Sequence, residues 1–317
     1  MKKIKINKIA HLTGHKGGVF SLANGSQDYL FLSGAGDGWI VEWDLTQPEN
    51  GRLIAQAEDT QTSGRASVFS LLEKNEMIIA GNMNGGLHWI FPKETSLNKD
   101  ILPHKKGIFD LQIFDEKLFT IGGKGILTKW SIEKQRAIES IQVSQKSLRK
   151  MVFSKKRNEL AVGASDGNIY VLDVESFSIK NTIGAAHDNS VFALSYSPDG
   201  KYLWSGGRDA HLKIWDLKKN YELIFSEPAH WFTINAIVFS SDGKFAATAS
   251  RDKTIKIWDA DNFKLLKVID TVRNGGHINS VNTLLWSKYN NWLISGSDDR
   301  SIIIWEIEKN KLREGEV

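Results

Sequence analysis

His230 to Asp259 reads HWFTINAIVFSSDGKFAATASRDKTIKIWD, and its parts already describe a small antiparallel sheet. Two strand-like runs, INAIVF (234–239) and KFAATA (244–249), flank Ser241-Asp242-Gly243, a turn cluster whose glycine accepts positive φ. Ser250-Arg251-Asp252-Lys253 then leads into Thr254 to Trp258, a run rich in β-branched and aromatic residues. A fourth strand is expected at FKLLKVI (263–269), after Asp259-Ala260-Asp261-Asn262.

The pattern recurs. His230, Thr248, Asp252 and Trp258 are separated by 18, 4 and 6 residues, and so are His15, Ser33, Asp37, Trp43; His187, Ser205, Asp209, Trp215; and His277, Ser295, Asp299, Trp305. Three degenerate copies lie between the first and second of these. Gly64 to Phe91 has Asn84 and Ile90 in the Asp and Trp slots; His104 to Ser131 keeps Thr120 and Trp130 but has Lys124 for Asp; Ser147 to Asp173 keeps Asp166 and has Leu172 for Trp. The Trp-equivalent positions 43, 90, 130, 172, 215, 258 and 305 count seven repeats, 40 to 47 residues apart.

Gly14-His15, Gly276-His277, Trp43-Asp44, Trp215-Asp216 and Trp258-Asp259 resemble the GH and WD dipeptides of WD-repeat (WD40) β-propellers. The resemblance covers nearly the whole chain. It implies an all-β fold, a seven-bladed propeller of four-stranded antiparallel blades, with residues 1–317 forming one propeller. Ring closure in the family implies that the strand at residues 2–9 completes the last blade, leaving 306–317 as a charged tail. It also implies that each His, Ser/Thr, Asp and Trp set is a buried hydrogen-bond chain. His, Ser and Asp also make up a hydrolase triad, but an active site needs one such set at one place. Four copies at identical offsets argue for architecture, so no catalytic residue and no enzyme activity is expected.

Composition agrees with a soluble chain. Apolar residues make up 41%, there is no Cys, net charge is +4 without a block of one sign, and no apolar run is long enough to span a membrane. The amino terminus MKKIKINKIA lacks the continuous apolar core of an export signal. A cytoplasmic monomer is therefore expected, with nucleic acid an improbable partner. No phosphate-binding glycine loop or metal-spaced His/Cys cluster occurs, so no cofactor or metal is expected. The connections at 46–65, 91–106 and 270–276 are longer than usual.

One set of residues suggests binding. The first strand of each repeat begins Val19-Phe20, Val68-Phe69, Ile108-Phe109, Leu148-Arg149, Val191-Phe192, Ile234-Asn235 and Val281-Asn282. By the resemblance, the second place sits near the top mouth of the central channel, where partner peptides dock. Phe20, Phe69, Phe109 and Phe192 then form an aromatic collar for an apolar side chain or a cation, completed by Arg149, Asn235 and Asn282. The alternative is that the rings pack between blades. Arg208 and Arg251, with Lys16, Arg65, Lys105, Lys106 and Trp231, are expected around the same face as a basic rim suited to an acidic or phosphorylated partner or to RNA. The leading expectation is a scaffold that recognises a protein or peptide of unknown identity.

Overall fold

The structure, a computed structural model, describes residues 4–58 and 66–309, with only the backbone of Lys309. Seven four-stranded antiparallel sheets are present, each made of consecutive strands except the last. Blade one comprises Val19–Asn24, Leu30–Ala35, Trp39–Asp44 and Gly51–Gln56; blade six comprises Ile234–Phe239, Phe245–Ser250, Ile255–Asp259 and Leu265–Ile269. Blade seven takes three strands from the carboxyl end, Val281–Trp286, Leu293–Ser297 and Ile302–Lys309, and its outermost strand, Ile4–Leu12, from the amino end. That pairing runs from Ile4↔Lys309 to Leu12↔Ile302 and joins the two ends of the chain into a ring.

Burial follows from sheets stacked face to face. The second strands of blades two, four and six, Met77–Asn82, Glu159–Ala164 and Phe245–Ser250, are buried at every position, because both faces of the sheet meet a neighbouring blade. Outermost strands such as Arg136–Gln142 are almost wholly exposed. The core is accordingly divided among the gaps between blades: Leu32 and Ile40 of blade one pack with Val68 and Ile78 of blade two, and Phe245 and Ile257 of blade six with Leu284 and Trp305 of blade seven. Near the channel the blades converge until only small residues fit. A Cβ on Gly34 would lie 2.5 Å from Val68 Cγ1, and one on Gly206 would lie 2.6 Å from Ile234 Cγ2.

Several boundaries differ from those expected. The closing strand extends to Leu12, and residues 1–3 lie outside the described residues. Glu306 to Lys309 are not tail but the end of the last strand: Ile307 packs on the core and Glu306 Oε2 accepts from Asn7 Nδ2 at 2.9 Å. The rest of the expected tail, 310–317, and residues 59–65 of the first long connection also lie outside the description. The connection at 91–106 contains the outer strand of blade two, Lys99–Ile101. That at 270–276 contains a single helical turn, Thr271–Asn274, whose N-cap Asp270 accepts from Arg273 N and whose C-cap is Gly275 at φ 64°.

Candidate functional site at the channel mouth

The repeated polar set sits where each chain segment enters a blade. In blade six Trp258 Nε1 donates to Thr248 Oγ1 at 3.0 Å, Thr248 Oγ1 lies 2.8 Å from His230 Nε2, and His230 Nδ1 lies 2.9 Å from Asp252 Oδ2. Indole only donates and carboxylate only accepts, so with a neutral ring the hydroxyl donates to Nε2 and Nδ1–H donates to Asp252. The corresponding His to Asp distances are 3.2 Å for His15 and Asp37, 2.9 Å for His187 and Asp209, and 2.9 Å for His277 and Asp299. Ser33, Ser205 and Ser295 each link their His to Trp43, Trp215 and Trp305.

Each carboxylate also ties down backbone. Asp252 Oδ2 accepts from Trp231 N of the entering loop at 3.0 Å and Oδ1 from Thr254 N of its own turn at 3.0 Å; Asp37, Asp209 and Asp299 do the same. Burial raises the pKa of Asp209, but hydrogen bonding and charge attraction from His187 outweigh it and hold the carboxyl down to about 2. Asp37, Asp252 and Asp299 are likewise held below the ordinary range.

The degenerate blades solve the same problem differently. Blade four has Ser144 in the His slot, 22 residues before Asp166 as in the complete sets, and Ser144 Oγ donates to Asp166 Oδ2 at 2.5 Å. The copy therefore begins earlier than Ser147. Blade two has a separate polar chain in which Asn82 Nδ2 meets His88 Nε2 at 2.9 Å and His88 Nδ1 meets Asp100 of the outer strand at 2.7 Å.

In blade three His104 Nε2 meets Thr120 Oγ1 at 2.9 Å and Trp130 Nε1 donates to the same oxygen at 3.0 Å, but buried His104 Nδ1 has no partner among the described residues. Burial pushes this imidazole down to about 4. A folded-state value below the ordinary 6.5 means that its contribution is fully present above that pH and is lost as pH falls toward 4. Lys124 is exposed and stands four residues after Thr120 and six before Trp130, the place of Asp in complete sets. Lys124→Asp is thus expected to stabilise the protein by about 1–2 kcal/mol at neutral pH and to shrink the loss on acidification. Urea midpoints at neutral pH and near pH 5 check this; an unchanged or lower neutral midpoint contradicts it.

The entering loops deliver the chain to the innermost strands, and there every blade carries the same irregularity. The pairing register shifts between Val19 and Ser21, Val68 and Ser70, Ile108 and Asp110, Leu148 and Lys150, Val191 and Ala193, Ile234 and Ala236, and Val281 and Thr283. In all seven the extra residue of this β-bulge is the second-place residue, and a bulge re-aims the side chain it carries. As a result Phe20, Phe69, Phe109, Arg149, Phe192, Asn235 and Asn282 all line one cavity of about 370 Å³. All seven are half-buried, so the rings face the channel rather than filling the gaps between blades.

The collar is internally organised. Phe20 meets Phe69 edge to face at 5.1 Å between centroids, and Phe69 stacks on Phe109 at 5.9 Å. Arg149 lies over the faces of Phe109 and Phe192, 4.4 and 5.2 Å from their centroids, so the cation against these rings is the protein's own. Asn235 Nδ2 donates to Val281 O at 2.9 Å, and Asn282 Nδ2 to Asp298 Oδ1 at 2.7 Å and Val19 O at 3.2 Å, stitching blades six, seven and one together.

Arg208 and Arg251 do not line this cavity; they are exposed on turns outside it, and Lys16 lies over the Trp39 ring at 5.1 Å. Arg65 lies outside the described residues. Trp231, expected on the rim, is 88% exposed, and beside it in the loops entering blades six and seven sequence reasoning overlooked Phe232, 58% exposed, Val272, 95%, and Ile278, 67%. Among the described residues no group of three or more His, Cys, Asp or Glu could hold a metal ion, and no helix is long and apolar enough to cross a membrane.

Comparison with known proteins matches this architecture. The family model "WD domain, G-beta repeat" matches residues 6–44, 179–216, 221–259 and 266–306, the four blades with complete polar sets. WD repeat-containing protein 36 of Homo sapiens is 26% identical over 52% of this chain and 18% of its own length. WD repeat-containing protein 1 of Rattus norvegicus is 29% identical over 61% of this chain and 32% of its own, and U3 small nucleolar RNA-associated protein 12 of Saccharomyces cerevisiae is 29% identical over 35% and 12%. The chain thus spans less than a third of the length of the first two curated relatives and about an eighth of the third. The WD40 propeller domain of Doa1 superimposes with a TM-score of 0.80 at 17% identity, over 95% of this chain and 97% of that one. The chain belongs to the WD-repeat β-propeller family.

Proposed function

We propose that this propeller is a non-enzymatic interaction platform, a cytoplasmic monomer that grips a peptide or protein segment at the mouth of its channel. The observation carrying this reading is the convergence of all seven bulged second-place side chains on one aromatic-lined cavity. The exposed Trp231, Phe232, Val272 and Ile278 offer an apolar surface on the same set of loops for the rest of the partner.

The test is selection of binding peptides from a displayed random library on the intact protein, followed by titration of the selected peptides against a Phe20/Phe109/Phe192→Ala triple variant with an unchanged melt. Loss of the three rings is expected to weaken binding at least tenfold, about 1.4 kcal/mol or more. Equal affinity for the triple variant contradicts the reading. A second reading, binding of RNA or a phosphorylated partner by the basic rim, draws on exposed Arg208 and Arg251 in adjacent blades and on the RNA-associated name of the yeast relative. It requires affinity that falls steeply with salt.

A further inference from the structure

Resting on the channel-mouth reading, we propose that the collar receives a single carboxylate of a partner peptide, from an Asp or Glu side chain or a C-terminus, paired with Arg149 and flanked by the phenylalanine rings.

Charge in the cavity supplies the reason. Three ionisable residues line it: Arg149, Lys150 and Asp110. Lys150 Nζ is 2.9 Å from Asp110 Oδ1, and Asp110 Oδ2 also accepts from Met151 N at 2.9 Å, so that pair is neutral and satisfied. Arg149 has no carboxylate within ion-pair distance among the described residues. Its Nε donates to Ser165 Oγ at 2.7 Å, which leaves the four N–H groups of the two terminal nitrogens without an acceptor among those residues. Burial also lowers the pKa of this guanidinium.

Geometry narrows the guest. Phe109 and Phe192 flank the guanidinium carbon and Ser165 takes Nε–H, which leaves the two terminal nitrogens, a pair of donors that can bind a carboxylate in bidentate fashion. A cationic guest meets the like charge of Arg149 over Phe109 and Phe192. The amide groups of Asn235 and Asn282 are committed to the ring, and Asp298, hydrogen-bonded to Asn282 in blade seven, places negative charge across the mouth from Arg149. An anion is thereby directed to the side of blades three to five. One unpaired positive charge matches a monoanion; a phosphoryl dianion or a nucleic-acid strand calls for more cations than the cavity holds.

Protein carrying 13C-labelled phenylalanine is titrated with the peptides Ac-Ala-Leu-Xaa-Leu-Ala-amide, where Xaa is Glu, Gln, Lys or phosphoserine, with Ac-Ala-Leu-Ala-Leu-Ala bearing a free C-terminus, and with oligouridine. Ring resonances of Phe20, Phe109 and Phe192 report occupancy. The expected result is binding of the Glu or the free C-terminal peptide at least tenfold tighter than the Gln and Lys peptides, the two acidic arms deciding which source of carboxylate is preferred. Arg149→Gln is expected to erase that preference and Arg149→Lys to keep part of it. Equal binding of Glu and Gln peptides, preference for Lys, tighter binding of phosphoserine or oligouridine, or an unaltered preference in Arg149→Gln overturns the proposal. The comparison among peptides on the parent protein stands even if a variant fails to fold. Peptides that bind without moving any collar resonance defeat the channel-mouth reading itself, which separates the two failures.

Discussion

Deleting residues 1–10 is expected to lower the thermal midpoint by about 10 °C or more. The segment supplies most of the outermost strand of blade seven, Ile4–Leu12, whose ladder with Ile302–Lys309 is the strand pairing that joins the amino and carboxyl ends of the chain in one sheet. Ile4 is buried against Phe245, Ile269 and Trp305, and Ile6 packs on the same cluster. Returning these two side chains to water costs about 3 kcal/mol, and the ladder and the Asn7 to Glu306 contact add to it. The deletion also uncovers a long strand edge, so light scattering is expected to rise during the melt. Calorimetry with scattering measures both; a midpoint equal to that of the parent removes this strand from the closure.

Asp252→Ala is the second large effect, with an expected loss of about 3 kcal/mol. The substitution removes the carboxylate acceptor of His230 Nδ1, leaving it Thr254 Oγ1 at 3.2 Å, and the acceptor of the backbone N–H groups of Trp231 and Thr254, and His230 and the links beyond it are buried. Asp261→Ala is the control: that residue is exposed one turn further on, and no side-chain bond holds it among the described residues, so its effect is expected within about 0.5 kcal/mol. Because the network carboxyls have folded-state values below their unfolded ones, what they contribute is present above about pH 4 and disappears as pH falls, for Asp209 toward about 2.

How much of this was legible depended on whether a residue's role repeats. The spacing of His230, Thr248, Asp252 and Trp258 recurs without variation because one local geometry, an entering loop pinned to a turn, is built four times. The blade count also needs the three degenerate copies, and closure is what the family resemblance implies. Ser144 carried a usable signal, since it stands 22 residues before Asp166, but its small side chain does not resemble His. The chain through Asn82, His88 and Asp100 occurs once and runs across strands, so no offset elsewhere announces it.

The collar positions were visible as a column of Phe, but nothing in Val19-Phe20-Ser21 distinguishes a bulge from regular alternation. The stack of Arg149 on Phe109 and Phe192 joins residues about forty apart from three blades, a contact that only ring geometry creates. The outer strands were least readable. Arg136–Gln142 is exposed almost throughout and carries no strict alternation, and Glu306 to Lys309 read as tail because three of the four residues are charged and Ile307 alone is apolar.

The central claim is that the recurring polar sets are equivalent pieces of architecture. The most direct measurement is the unfolding free energy of Asp37→Ala, Asp209→Ala, Asp252→Ala and Asp299→Ala beside Asp261→Ala, by urea titration at neutral pH. Four similar losses of about 3 kcal/mol with an unaffected control are predicted. A network substitution that leaves stability at the level of the parent, or a control that falls as far as the four, contradicts the claim.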